Sequence, residues 1–451
     1  MPDSLSTTAT PTRDVPPRVT VMLGLLIAGF ALSHLYRTLP AVMAAPLVQA
    51  FDIGPRGLGV FAAAFHLAFA LVQLPVGLAV DRLGVRRTAS VLLLITAAGA
   101  GLSAVAPGFG VLVAAQAIIG IGCSGLLMAP LVFASHAWPA DRFAAVSAAV
   151  VSIGGAGMLL SGTPLALAIE VGGWRGAFAA CGVLTLAVAA AIWLGLARAP
   201  RPRAATAPES PAKSRAGLVA DIRGTLAILV SRPMRRTALL AAMSYPALIT
   251  LRGLWLGPFL QAAHGLGPVA IGNIVLGLSV VMVAAPLAFG RLDRAGPRRR
   301  ALMRGGGLLA AAGLVALGLG GGHLLAIDLV VLALITAAGS FYVLQFAVVR
   351  ASVPPEAMGR ALSGLIFCFF AGVAVWQVLT GLIADSGGAT QGLTAASGPV
   401  MASSLAGADA MRLVFLVLGA GLGAVTLATT PRELIARDPS SSMPPIDKVS
   451  P

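Results

Sequence analysis

A charged turn, GLAVDRLGVRR at 77–87, stands between two long apolar runs, one over 57–80 and one over 88–106. An aspartate flanked by Arg82, Arg86 and Arg87 does not reside in hydrocarbon, so the chain surfaces from a bilayer here and re-enters it. The arrangement returns as FGRLDRAGPRRR. Asp81 maps to Asp293, Arg82 to Arg294, Gly84 to Gly296, Arg86 to Arg298 and Arg87 to Arg299, each 212 residues later. A constant offset over five positions indicates a duplicated membrane unit.

Apolar runs fill the rest of the chain. They fall at about 19–48, 57–80, 88–106, 109–134, 143–169 and 176–196, then at 237–261, 270–290, 302–319, 324–349, 361–384 and 411–429. A crossing needs about 20 apolar residues, so twelve runs with short loops account for 451 residues at 58% hydrophobic and 10% charged. The expected fold is therefore an all-α membrane protein of twelve transmembrane helices in two pseudo-symmetric six-helix bundles. Residues 1–18 read as a disordered tail, 19–197 as the first bundle, 198–236 as a basic linker, 237–430 as the second bundle and 431–451 as a second tail. Leu218, Ile222, Leu226 and Leu229 in the linker have the spacing of an interfacial helix. The loop 385–409 reads as mobile, and no cleavable signal is evident.

The net charge of +15 does not point to nucleic acid. The basic residues lie on alternate loops: 26 fall on the side holding both termini, and only Arg56, Arg175 and Arg412 on the other. That bias places both termini in the cytoplasm of a multi-pass protein of a bacterial-type inner membrane. Cys123, Cys181 and Cys368 lie inside apolar runs, without disulfide or metal spacing, and read as packing residues.

The turn resembles the signature loop of the major facilitator superfamily, which lies between its second and third helices. Gly77, Asp81, Arg82, Gly84, Arg86 and Arg87 fit it; Ala79 stands where Leu is usual, and Val85 displaces the basic pair by one. The resemblance implies the superfamily's fold and a secondary carrier working by alternating access. The charged turns, Asp293, Arg294, Gly296 and Arg298 included, then act in gating, by contacts made in one of two conformations, and also as topology determinants.

Two arginines remain, Arg37 in the first run and Arg252 in the seventh, at related places in the two halves. Each costs roughly 2.5–3.5 kcal/mol at mid-membrane, so they are expected to face a hydrated cavity between the halves. A guanidinium offers a planar fork of donors suited to carboxylate or phosphate. Pinning a helix kink through backbone carbonyls is the structural reading of the same residues. Tyr36-Arg37 followed by a Pro/Ala stretch is also similar to the first helix of the superfamily's organic-anion branches, the organophosphate exchangers and anion:cation symporters. In the exchangers paired arginines on helices one and seven hold phosphate, and Arg37 and Arg252 match that role.

Further cavity candidates are His34 and Tyr36 beside Arg37, Gln116 where the family often has Arg, Tyr245 and Trp255 flanking Arg252, Tyr342 with Gln345, and Trp376 with Gln377. All sixteen Asp and Glu fall in loops, tails or near helix ends, Glu170 and Asp328 being the deepest. His34 and His66 are therefore the candidates for proton coupling, against a plain role as neutral hydrogen-bonded groups in the bundle. The antiporter signature of the fifth helix is missing from GGAGMLLSGTPLAL. The expected function is transport of a small organic anion, a carboxylate or phosphate ester, by a monomer without cofactor, metal or catalytic residues. Efflux of amphiphilic or cationic compounds is the alternative, and a membrane sensor or enzyme a more distant one.

Overall fold

The computed structural model describes residues 16–196, 215–293, 297–354, 357–392 and 401–429. Most of the first tail, the start of the linker, Arg294, Gly296 and the last tail lie outside these. Among the described residues, eleven helices are long and apolar enough to cross a membrane.

The first half comprises α1 (Pro17–Thr38), α2 (Pro40–Phe51), α3 (Pro55–Leu83), α4 (Val85–Ala104), α5 (Phe109–Cys123), α6 (Met128–Ala137), α7 (Ala140–Gly155) and α8 (Thr163–Gly195). α1 with α2, and α5 with α6, each make one interrupted crossing. The break after α1 follows from Pro40, which has no N–H and whose ring collides with the carbonyl of Tyr36. Just before the break, the Thr38 hydroxyl donates to the carbonyl of His34 at 2.9 Å.

The run Val146–Gly195 is 50 residues long and crosses twice. Trp174 packs on Phe51 at the end of α2, whereas Trp193 lies under Arg86 at the start of α4. The chain therefore crosses between them, and it reverses just before Trp174, at Gly173, whose φ of 66° and ψ of 179° suit only glycine. With this reversal the twelve crossings expected from the sequence are all present.

The second half repeats the plan with α9 (Arg215–Val230), α10 (Arg232–Thr250), α11 (Leu256–His264), α12 (Pro268–Leu292), α13 (Pro297–Gly320), α14 (Leu325–Gly339), α15 (Leu344–Ser352), α16 (Met358–Gly392) and α17 (Met401–Thr429). α9 is the helix expected late in the linker, and it packs on the start of α16, where Leu229 covers Gly364. α16 continues to Gly392, beyond Asp385 where a mobile loop is expected.

The halves meet along α3 and α16, along α8 and α12, and where α2 touches α11. Small residues allow this. A Cβ on Gly59 would stand 2.4 Å from the carbonyl oxygen of Gln377, one on Gly162 2.7 Å from that of Gly272, and one on Gly257 1.9 Å from that of Ala41. Without a hydrophobic drive between helices in lipid, such backbone approaches supply the packing. Gly59 lies at the end of α3 opposite the charged turn, so the halves are in contact on that side.

In each charged turn a described arginine has defined partners. Gly84 joins α3 to α4 with a φ of 78°, and the helix end it caps carries Gly77, Asp81 and Arg82. Arg86 donates from Nε to the carbonyl of Trp193 at 2.9 Å and lies 4.0 Å over that indole ring. In the second copy Arg299 grips Asp293 with two bonds of 2.8 Å. Arg86→Ala is expected to free the end of α8 and shorten its amide protection in hydrogen exchange, with Arg299→Ala leaving that segment unchanged.

Candidate substrate-binding site

Several crossings are interrupted. α1 breaks at Leu39, α5 gives way to α6 over 124–127, and α7 passes into a 3-10 turn at Ala156–Ser161. In the second half, a π-helical turn at Leu251–Trp255 separates α10 from α11, and a 3-10 turn at Ser340–Val343 separates α14 from α15. Irregular backbone at membrane depth is tolerated only where it is covered by protein or lines a wet cavity, and π-turns recur at functional positions.

Arg252 sits in that π-turn and is 1% exposed. Its Nη2 donates to the Ser279 hydroxyl and, at 3.5 Å, to the carbonyl of Val275, both on α12. Its Nε and Nη1 have no protein partner. Arg37, in the last turn of α1, is 6% exposed. Its Nη1 donates to the Tyr245 hydroxyl at 3.2 Å, across the seam, and Nε has no protein partner. The guanidinium carbon stands 5.4 Å from the Phe69 ring centroid and 4.7 Å from that of Phe370. The two main chains meet at this point, the Arg37 carbonyl lying 3.8 Å from where a Cβ on Gly253 would be. Among the described residues neither arginine pairs with a carboxylate. Glu170 is exposed, and Asp328 is taken by His264 at 2.7 Å and by the Gly322 N–H.

The other expected residues divide. Tyr245 and Tyr342 come together at 4.9 Å between ring centroids, beside Arg37. His34 is half-buried one turn from Arg37, with its ring edge on Phe30. His66 is buried on α3, its Nδ1 3.0 Å from the carbonyl of Ala62 and its ring 5.9 Å from Phe370; Nε2 has no protein partner. Gln116 is buried with neither amide atom partnered, and Gln345 donates to Ser244 at 2.6 Å while its Oε1 stays free.

Three residues expected to line the cavity do not. The Tyr36 hydroxyl meets Thr185 at 3.0 Å, inside the first half, because one residue along a helix turns a side chain by about 100° away from Arg37. Trp255 donates to Thr380 at 2.8 Å within the second half, and Trp376 reaches to Gly421 on α17. Conversely, Phe69, Phe370 and Ser279 contact the arginines and carried no sequence signal, since a Phe or an isolated Ser within an apolar run is ordinary. Among the described residues no His/Cys/Asp/Glu group could hold a metal ion.

A profile of the Major Facilitator Superfamily matches residues 22–376. The chain belongs to the major facilitator superfamily. Several solved carriers of that fold superpose on it. A bacterial homolog of the human lysosomal transporter Spinster, in an inward-facing and unoccupied conformation, has a TM-score of 0.75 at 20% identity, covering 92% of this chain and 98% of that one. A D-xylose–proton symporter gives 0.70 at 14% identity with the same coverage, and a nucleoside transporter 0.67 at 12%, covering 91% and 98%. Among curated protein sequences, nothing matches. Membership of the superfamily and eleven apolar helices among the described residues make this chain a multi-pass membrane protein, while its solute has to be argued from the site itself.

Proposed function

We propose that this superfamily member is a secondary carrier that moves a small organic anion by alternating access, as a monomer, with both termini in the cytoplasm of a bacterial-type inner membrane. One observation carries the anion reading: each half contributes a buried guanidinium at the seam, and together they hold three nitrogens whose N–H groups have no protein partner. A buried donor left unpaired costs about 1–3 kcal/mol, more when charged, and a carboxylate or phosphate ester supplies both the acceptors and the countercharge. The charge asymmetry of the loops supports the orientation. A cationic solute would meet two fixed positive charges without a carboxylate to offset them, which favours the anion over the efflux reading. His34 and Tyr245 complete the immediate surroundings of the pair, with Tyr342, Gln116 and Gln345 around them.

The test is a thermal-shift screen of the purified protein against carboxylates, phosphate, phosphate esters and tetraphenylphosphonium. Anions are expected to raise Tm in a concentration-dependent way; stabilisation by the cation alone would overturn the reading. The two histidines are the titratable groups on the first-half side of the seam, and proton coupling through one of them is part of the proposal. His34→Gln or His66→Gln is expected to flatten the pH dependence of uptake, and an unchanged profile in both variants removes coupling through histidine.

A further inference from the structure

We propose that the solute is an aromatic carboxylate, its head on Arg37 and Arg252 and its ring on the aromatic wall that leads away from them; this rests on the anion reading above. The wall begins at Arg37, whose guanidinium carbon is 4.7 Å from the Phe370 ring centroid and whose Nη1 bonds the Tyr245 hydroxyl. Tyr245 stands 4.9 Å from Tyr342 and 5.1 Å from Phe369, and Phe369 stands 5.8 Å from Phe346. Phe369, Phe370 and Tyr245 are buried, whereas Tyr342 and Phe346, one turn apart, are half-buried and keep ring surface free. The charged head of the site thus continues into an open aromatic edge contributed by α15 and the turn before it.

The chemistry of this arrangement selects among anions. Three unpartnered guanidinium nitrogens, with four N–H between them, match the lone pairs on the two oxygens of one carboxylate. Phosphate brings a further oxygen and a further charge that ring faces cannot solvate. A sugar phosphate also needs fixed partners for several hydroxyls, and among the described residues the polar groups beside this wall are few, the two tyrosine hydroxyls and the Gln345 amide. A flat apolar ring instead finds edge-to-face and offset partners at the spacing such pairs adopt, each adding about 0.5–1.5 kcal/mol.

Equilibrium binding of benzoate, acetate and inorganic phosphate to the full-length protein tests this. Benzoate is expected to bind at least about tenfold more tightly than either, from one to two ring contacts. Phe346→Leu, which keeps an apolar side chain, is expected to erode that ratio without weakening acetate. If acetate or phosphate binds as tightly as benzoate and Arg252→Ala still abolishes it, the aromatic class is wrong and the anion reading stands. If none of the three binds, or Arg252→Ala binds them all as the wild type does, both fail.

Discussion

Arg252→Met is expected to abolish anion uptake into proteoliposomes and at the same time to raise the protein's Tm. The two effects have one origin. The Arg252 guanidinium is fully enclosed, and only one of its three nitrogens is satisfied by protein, through Ser279 and Val275. Such a group weakens the empty protein, and replacing a buried charge by an apolar side chain of similar volume is often neutral or stabilising by about 1–4 kcal/mol. Losing a charge-assisted bond to the solute forfeits about 1.5–3 kcal/mol of binding. It also leaves the anion facing apolar surface, so the fall in uptake is about a hundredfold or more. Arg252→Lys keeps the charge but not the fork, and is expected to recover only a small part of the rate. Arg37→Ala removes uptake as well, but lowers Tm, because Arg37 also bonds Tyr245 and lies against Phe69 and Phe370 across the seam. A Tm loss at Arg252 with uptake retained would identify that residue as a pin for the π-turn.

The second large effect lies at Gly257. Its missing Cβ would stand 1.9 Å from the Ala41 carbonyl oxygen, which is main chain and cannot swing aside. Gly257→Val therefore separates α2 from α11 and opposes closure of the seam on the side away from the charged turns. Overpacking of this kind costs about 1–3 kcal/mol, which shifts a two-state ratio by roughly 5- to 150-fold. Ala44, buried on α2 in the same seam, reports the change when replaced by Cys in a chain whose Cys123, Cys181 and Cys368 are removed. Labelling by an impermeant maleimide from that side is expected to rise within this range in Gly257→Val, and uptake to fall, since alternating access needs both states. Unchanged labelling would mean that this approach does not hold the seam shut.

The crossings and the duplicated turn were legible because lipid imposes one rule on the whole chain: apolar for a helix length, charged at the ends. Arg37 and Arg252 were legible for the same reason, as the exceptions to it. What surrounds them was not. Tyr36 is next to Arg37 in sequence yet faces Thr185, while Phe370, hundreds of residues away, touches it. Neither fact follows from hydropathy, since a ring facing lipid and a ring facing a guanidinium read alike. The π-turn at Leu251–Trp255 and the 3-10 turn at Ser340–Val343 were equally hidden. Each is a local choice of main chain, settled by how the two halves pack.

The most direct test of the arginine pair is an experimental structure with a bromine-labelled carboxylate, the tightest binder of the screen, bound in the seam. The carboxylate is expected between the halves, with its oxygens about 2.7–2.9 Å from Arg37 Nε and from Arg252 Nε or Nη1. A bromine signal away from the seam, or either guanidinium turned toward the acyl chains with the anion bound elsewhere, would contradict the account.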